Sequence, residues 1–188
     1  MDSRIVWRRL DQPGYEAARI SSDDGAWRLE GCAIFTEDGQ SCCIQYEILC
    51  GSDWRFERAR VKGWIENRDI DLEIEANQDA WSLNGEVVQE LGACIDLDLN
   101  FSPSTNTLPI RRLKLDIGES ALVSAAWLRF PNLKLERLDQ TYTRTDERTY
   151  RYETADGKFK RELTVNAAGL VVIYPGLWEA ELSGSTKS

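Results

Sequence analysis

Four charged residues carry the first chemical suggestion in this chain: Asp96 and Asp98 in CIDLDLNF, and Arg111 and Arg112 in LPIRRLKL, joined by the polar run SPSTNT. Carboxylates spaced i, i+2 share one face of a strand, where they have the form of a catalytic pair or half a cation site. A guanidinium grips phosphate, carboxylate or sugar oxygens through its planar fork. The ordinary roles are a solvated strand face for the two aspartates and cross-strand ion pairs for Arg112 and Lys114, worth about 0.2–1 kcal/mol each.

The 188 residues include no histidine. That removes Ser-His-Asp and Cys-His nucleophile pairs, imidazole metal sites and the commonest general base near neutral pH. An enzyme built from this sequence would work with carboxylates, Tyr, Lys, Arg or a bare thiol. The five cysteines form no CxxC, are odd in number, and include the adjacent pair Cys42 and Cys43. They make neither a disulfide framework nor a zinc knuckle, and no metal or cofactor is expected. Net charge is −9 and the pI near 4.7, which argues against nucleic acid and anionic membrane surfaces as partners. No apolar run approaches the roughly 20 residues of a membrane span, so stable membrane insertion is not expected. The N-terminal MDSRIVWRRL reaches its charges too soon for a signal peptide, and a reduced, cytoplasmic protein is expected.

The elements that must position these groups are strands. Ile70, Leu72, Ile74 and Ala76 alternate with acids, Ile95, Leu97, Leu99 and Phe101 with Asp96, Asp98 and Asn100, and Leu113, Leu115 and Ile117 with Arg112, Lys114 and Asp116. Each pattern predicts a strand with one dry and one wet face. Asp24-Gly25, Asp38-Gly39, Asn84-Gly85 and Asp156-Gly157 read as tight turns. Further strands are predicted over 26–35, 42–49, 54–66, 147–155, 159–166 and 170–174, with a bulge or bend near Arg58 where the apolar phase slips. Segment 86–92 fits a turn or two of helix, and 119–126 is ambiguous. One β domain over 1–182 with a loose tail at 183–188 follows. About a dozen strands exceed what a flat sheet usually sustains, so the expected fold is mainly β: one large curled antiparallel sheet around an apolar cavity, with one or two short helices at most.

Several residues stand out on that scaffold. If 111–117 is a strand, Arg111 falls on the dry face with Leu113 and Leu115, where a charge is costly unless paired or set at a cavity mouth. Arg161 shares a face with Phe159 and Leu163, and is a second inward cation or an acid's partner. Trp54 and Trp178 follow turn signals near element ends, where they could flank an opening.

The strings SPSTNTLPIRRL (102–113), YEILCGSDWRFERARVKGW (46–64) and GLVVIYPGLW (169–178) resemble a bacterial family described as "putative glycolipid-binding", formerly a domain of unknown function. The resemblance runs roughly from residue 27 to 178. It implies a half-barrel or spiral β-roll similar to lipoprotein-localisation carriers and to mycobacterial lipid-carrying lipoproteins. The leading expectation is therefore non-enzymatic binding or carriage of a lipid or glycolipid-like small molecule. Its tail would lie in the sheet interior and its head at Thr105, Asn106, Arg111 and Arg112, with Arg161, Trp54 and Trp178 as further candidates. The alternatives are a histidine-free hydrolase or lyase working with carboxylates and Arg, and a protein-interaction module using an exposed sheet edge or face.

Overall fold

Tight turns set the architecture. At Asp24-Gly25, Asp38-Gly39 and Asn84-Gly85 both residues take positive φ (48° and 87°, 49° and 79°, 51° and 80°), the backbone that joins two strands with matching twist. The computed structural model describes residues 2–77 and 80–181, so the expected tail at 183–188 lies outside the described residues. Among those residues run β1 (Ser3–Arg9), β2 (Gly14–Asp23), β3 (Ala26–Glu37), β4 (Gln40–Cys50), β5 (Phe56–Ile65), β6 (Arg68–Asn77), β7 (Ala80–Leu83), β8 (Glu86–Val88) and β9 (Asp96–Leu99). After one short helix, α1 (Thr107–Leu113), come β10 (Ser120–Arg129), β11 (Lys134–Asp146), β12 (Thr149–Thr154), β13 (Lys160–Val165), β14 (Val171–Tyr174) and β15 (Trp178–Ala180).

All fifteen strands join one sheet in the order β8-β7-β6-β5-β4-β3-β2-β1-β15-β14-β13-β12-β11-β10-β9. Every pairing is antiparallel except β9 with β10. The central seam, β1 against β15, brings the two ends of the chain together. The expected phase slip is a bulge: Leu49 pairs with Arg58 but Cys50 with Phe56, leaving Glu57 unmatched and turning Phe56, Ala59 and Val61 to the same buried face.

The mainly β, antiparallel part of the expectation holds, but the curl does not. The sheet has two free edges, β8 and β9, and is neither closed nor strongly curled. Residues 102–110 lie buried against its inner face, filling space that the half-barrel reading had left hollow. This plug also corrects the reading of 111–117 as a strand. The Ser102 hydroxyl accepts a hydrogen bond from the Ser104 amide (3.1 Å) and Pro103 follows it, which starts a 3-10 turn that runs into α1. Pro109 sits in the first turn of α1, where no backbone donor is needed, and left-handed Lys114 (φ 49°) stops the helix. Segment 86–92 divides into β8 and a 3-10 turn, Gln89–Leu91, and the ambiguous 119–126 is part of β10.

The wet face assigned to Asp96 and Asp98 is a second correction. The Asp96 side chain is 1% exposed and takes both fork nitrogens of Arg112 (Nε 3.1 Å, Nη2 2.5 Å), clamping α1 to β9. Burial pushes the Asp96 carboxyl up, and Arg112 opposes that shift. On the other side of the plug Glu16, 1% exposed, accepts from Tyr46 Oη (2.5 Å) and Ser102 Oγ (2.6 Å) through one oxygen, Oε1. Tyr46 reaches it by lying across Gly31, where a Cβ would meet the phenol oxygen at 2.3 Å.

Two stability predictions follow from these anchors. Burial holds the Glu16 carboxyl at about 7 from its usual 4.5, against the lowering effect of the Ser102 and Tyr46 hydroxyls. Between those values the folded chain keeps a proton that the unfolded chain releases, so the contribution is present at low pH and is lost as pH rises through 7. Glu16→Gln does not titrate. The wild-type minus variant unfolding free energy should therefore fall by on the order of 3 kcal/mol from pH 4 to 8, and a difference constant with pH would refute the assignment. Arg112→Met strands the buried Asp96 carboxylate and should cost about 3–5 kcal/mol by urea unfolding. The double variant with Asp96→Leu should recover most of that loss; equal losses in single and double variants would show that the pair is not the anchor.

Candidate functional site

The plug does not fill the inner face completely. Beside it a cavity of about 410 Å³ remains, walled by the plug and by residues of β1, β3, β9–β12, β14 and β15. Period-two geometry turns neighbours across the ladder to the same face: Trp178 pairs with both Arg9 and Tyr174, and all three line the cavity together with Tyr152. Tyr152, Phe159 and Tyr174 form a triangle of rings with centroids 5.8, 6.4 and 6.3 Å apart, all edge to face. Trp127, Phe101 and Phe130 supply the opposite wall.

Four charged residues line this space: Arg9, Asp11, Glu37 and Asp98. Arg9 is already engaged. Its Nε and Nη2 donate to both oxygens of Asp11 (2.8 and 3.0 Å), and Nη2 also donates to Glu37 Oε2 (3.1 Å). Its guanidinium carbon stands 4.8 Å from the Phe35 centroid and 5.7 Å from that of Trp178. Asp98 is different. Oδ2 accepts from Gln140 Nε2 (2.8 Å), while Oδ1 of this half-buried side chain accepts no hydrogen bond among the described residues. Burial pushes its carboxyl up to about 6, opposed only by Gln140. The phenols of Tyr152 and Tyr174 are raised by burial and then by the Asp98 charge, which places all three groups in one electrostatic neighbourhood.

The residues singled out in the sequence separate into groups. Asn106 and Trp178 line the cavity, and the Asn106 side chain is fixed by Tyr142 Oη (2.8 Å) and the Pro103 carbonyl (3.1 Å). Arg161 lies just behind the wall, 4.5 Å from the Phe159 centroid, with Nε on the Pro175 carbonyl (3.1 Å). Thr105 accepts from the Leu99 amide (3.2 Å), and Arg112 is committed to Asp96. Arg111 and Trp54 form a separate cluster: the guanidinium carbon is 5.4 Å from the Trp54 ring, which stacks on Trp27 at 4.5 Å, and Arg111 Nε is buried without a partner. Neither lines the cavity. Sequence reasoning passed over Arg9, Trp127, Tyr152 and Tyr174. The signal for Arg9 was present, since it shares the parity of Ile5 and Trp7 and is as much an inward charge as Arg111 was expected to be.

A second and larger concavity, about 1160 Å³, crosses the outer face of β1–β5 over the small side chains of Ala17 and Cys32. Several of its charged flanks are exposed and already paired, Arg19 with Glu30 inside the groove (2.8 Å) and Lys62 with Asp71 outside its lining (3.4 Å). It is an open, solvated groove rather than a desolvated site. Among the described residues no cluster of acids and thiols could hold a metal ion, and no helix is long and apolar enough to cross a membrane.

Comparison with known proteins agrees with this architecture. No curated protein matches the chain. The crystal structure of a DUF1089 family protein from Pseudomonas aeruginosa is similar at 32% identity and a TM-score of 0.77, covering 88% of this chain and 91% of that one. Residues 4–180, nearly all of the sheet together with the plug and the cavity walls, match the family model described as "Putative glycolipid-binding". The chain belongs to that family.

Proposed function

We propose that this chain binds the sugar head of a glycolipid-type amphiphile in the aromatic cavity and performs no chemistry on it. The observation that carries the reading is the wall itself: seven aromatic rings interleaved with polar groups such as Asp98, Asn100, Ser102 and Asn106, and a volume within the roughly 300–1,000 Å³ of ligand pockets. Flat rings suit the C–H faces of a sugar, while Asp98, Asn106 and the phenols offer partners for hydroxyls. The family description supports the glycolipid class. The tail takes a different place from the one first expected. Leu97, Leu99 and Leu108 pack the interior at 1%, 0% and 0% exposure, leaving no room for an acyl chain there. The chain instead leaves the cavity over Leu177 and the exposed Leu10.

Octyl β-glucoside, titrated below its micelle concentration and followed by calorimetry, tests this reading. Trp127→Leu, which removes a half-buried ring, should weaken binding about tenfold. Arg111→Ala, outside the cavity, should leave it unchanged. Equal affinity in the wild type and Trp127→Leu, with loss in Arg111→Ala, would move the site to the Trp54 cluster.

One observation favours a second reading. A cavity carboxyl held at about 6 is partly protonated near neutrality, as a glycosidase acid must be, and two further carboxylates line the same space. Arg9 holds both of those, so binding without turnover is expected. Release of 4-nitrophenol from 4-nitrophenyl glycosides, abolished in Asp98→Asn, would establish the enzyme instead.

A further inference from the structure

We propose that the cavity selects a cationic, amine-bearing sugar head, with the ammonium seated on Asp98 Oδ1 among the rings of Trp127, Tyr152 and Tyr174. This rests on the reading that the head enters the aromatic cavity, and adds which class of head it takes.

Charge balance is the first support. Three carboxylates line the cavity against one guanidinium, and that guanidinium is bound to two of them and packed between two rings. No lysine lines the space; Arg161 lies against the Phe159 ring and is turned onto the carbonyls of Pro175 and Lys160, and Arg129, 5.4 Å from the Trp127 ring, pairs with Glu136 (3.5 Å). A phosphate or carboxylate head would therefore enter a space whose net charge is of its own sign, where the one lining cation, Arg9, keeps only Nη1 without a partner. The expectation of an anion gripped by Arg111 or Arg112 fails on the same ground, since Arg112 is committed to Asp96 and Arg111 lies elsewhere.

The second support is the state of Asp98. It is the one charged group of the cavity without an ionic partner among the described residues; a single amide N–H from Gln140 meets one oxygen, and the other oxygen is left open. A carboxylate so placed is destabilised until a cation reaches it. Trp127 stands directly beside it in the β9–β10 ladder. Tyr152 and Tyr174, whose rings lie 6.4 Å apart, feel its charge. Ring faces carry negative potential and attract an ammonium group, most strongly when water is excluded. A carboxylate set within such rings suits a primary ammonium better than a neutral hydroxyl, and an amino sugar offers both.

Three octyl glycosides with the same tail separate the possibilities: the β-glucoside, the β-glucosaminide and the β-glucuronide, each titrated calorimetrically at pH 7.5 below its micelle concentration. The glucosaminide should bind the wild-type chain about tenfold more tightly than the glucoside, with the glucuronide weakest. Asp98→Asn, which preserves shape, should bring the glucosaminide down to the level of the glucoside. Equal affinity for all three heads overturns charge selection and leaves head binding intact. A glucosaminide preference that survives in Asp98→Asn overturns the assignment to Asp98. Failure of all three to bind overturns this inference together with the reading beneath it. The ranking is read in the wild-type chain, so a poorly folded variant does not remove the test.

Discussion

The ion pair between Asp96 and Arg112 is the constraint on which the rest of the molecule depends. A carboxylate 1% exposed is tolerable only with a fork-shaped partner in place, and Arg112 provides it from α1. The pair fixes α1 relative to β9, and β9 in turn sits beside β10 as the single parallel pairing of the sheet. Glu16 fixes the start of the plug through Ser102, so the segment is held at both ends by buried polar contacts. An apolar helix could slide on an apolar sheet. One gripped by two buried carboxylates has a single seat, and the cavity is the space this seat leaves uncovered.

Two aspartates of β9 handle charge in opposite ways. Asp96 has a guanidinium, while Asp98, two residues on and facing the same way, has only an amide. Arg9 lines the same cavity, but its Nε and Nη2 are held by Asp11 and Glu37, its plane is packed between Phe35 and Trp178, and only Nη1 is without a partner. A half-buried carboxylate that faces a cavity and has no ionic partner is a natural candidate for recognition. The contrast between neighbouring aspartates of identical type and parity is the reason for locating recognition at Asp98 and stability at Asp96.

Much of the sheet was legible in the sequence because its cause is local. Alternation in 70–76 and the Asp-Gly and Asn-Gly dipeptides determine strands and turns with no help from distant residues. The phase slip near Arg58 was equally local and proved to be a bulge at Glu57. The reading of 111–117 failed because period-two spacing over three leucine-type positions also fits the end of a short helix. Ser102-Pro103, a helix start signal, outweighs it once the plug can be buried. The curl failed for a related reason: strand number says that a large sheet must bury one face, and does not say what buries it.

The site was the least legible part, because it depends on which strands become neighbours. Arg9, Tyr152 and Trp178 are more than 140 residues apart along the chain between first and second, yet β1, β12 and β15 contribute to one wall. The sequence reading marked Arg111 and Arg161 as inward charges, and by the same parity Arg9, which it passed over, has equal standing. Only the seam between β1 and β15 gives Arg9 a place in the cavity, and only the helical turn at 107–113 takes Arg111 out of it. Inward charge is thus a necessary sign of a site and not a sufficient one. What separates Asp98 from Asp96, and an aromatic cavity from the Trp54 cluster, is the partner that the fold supplies or withholds.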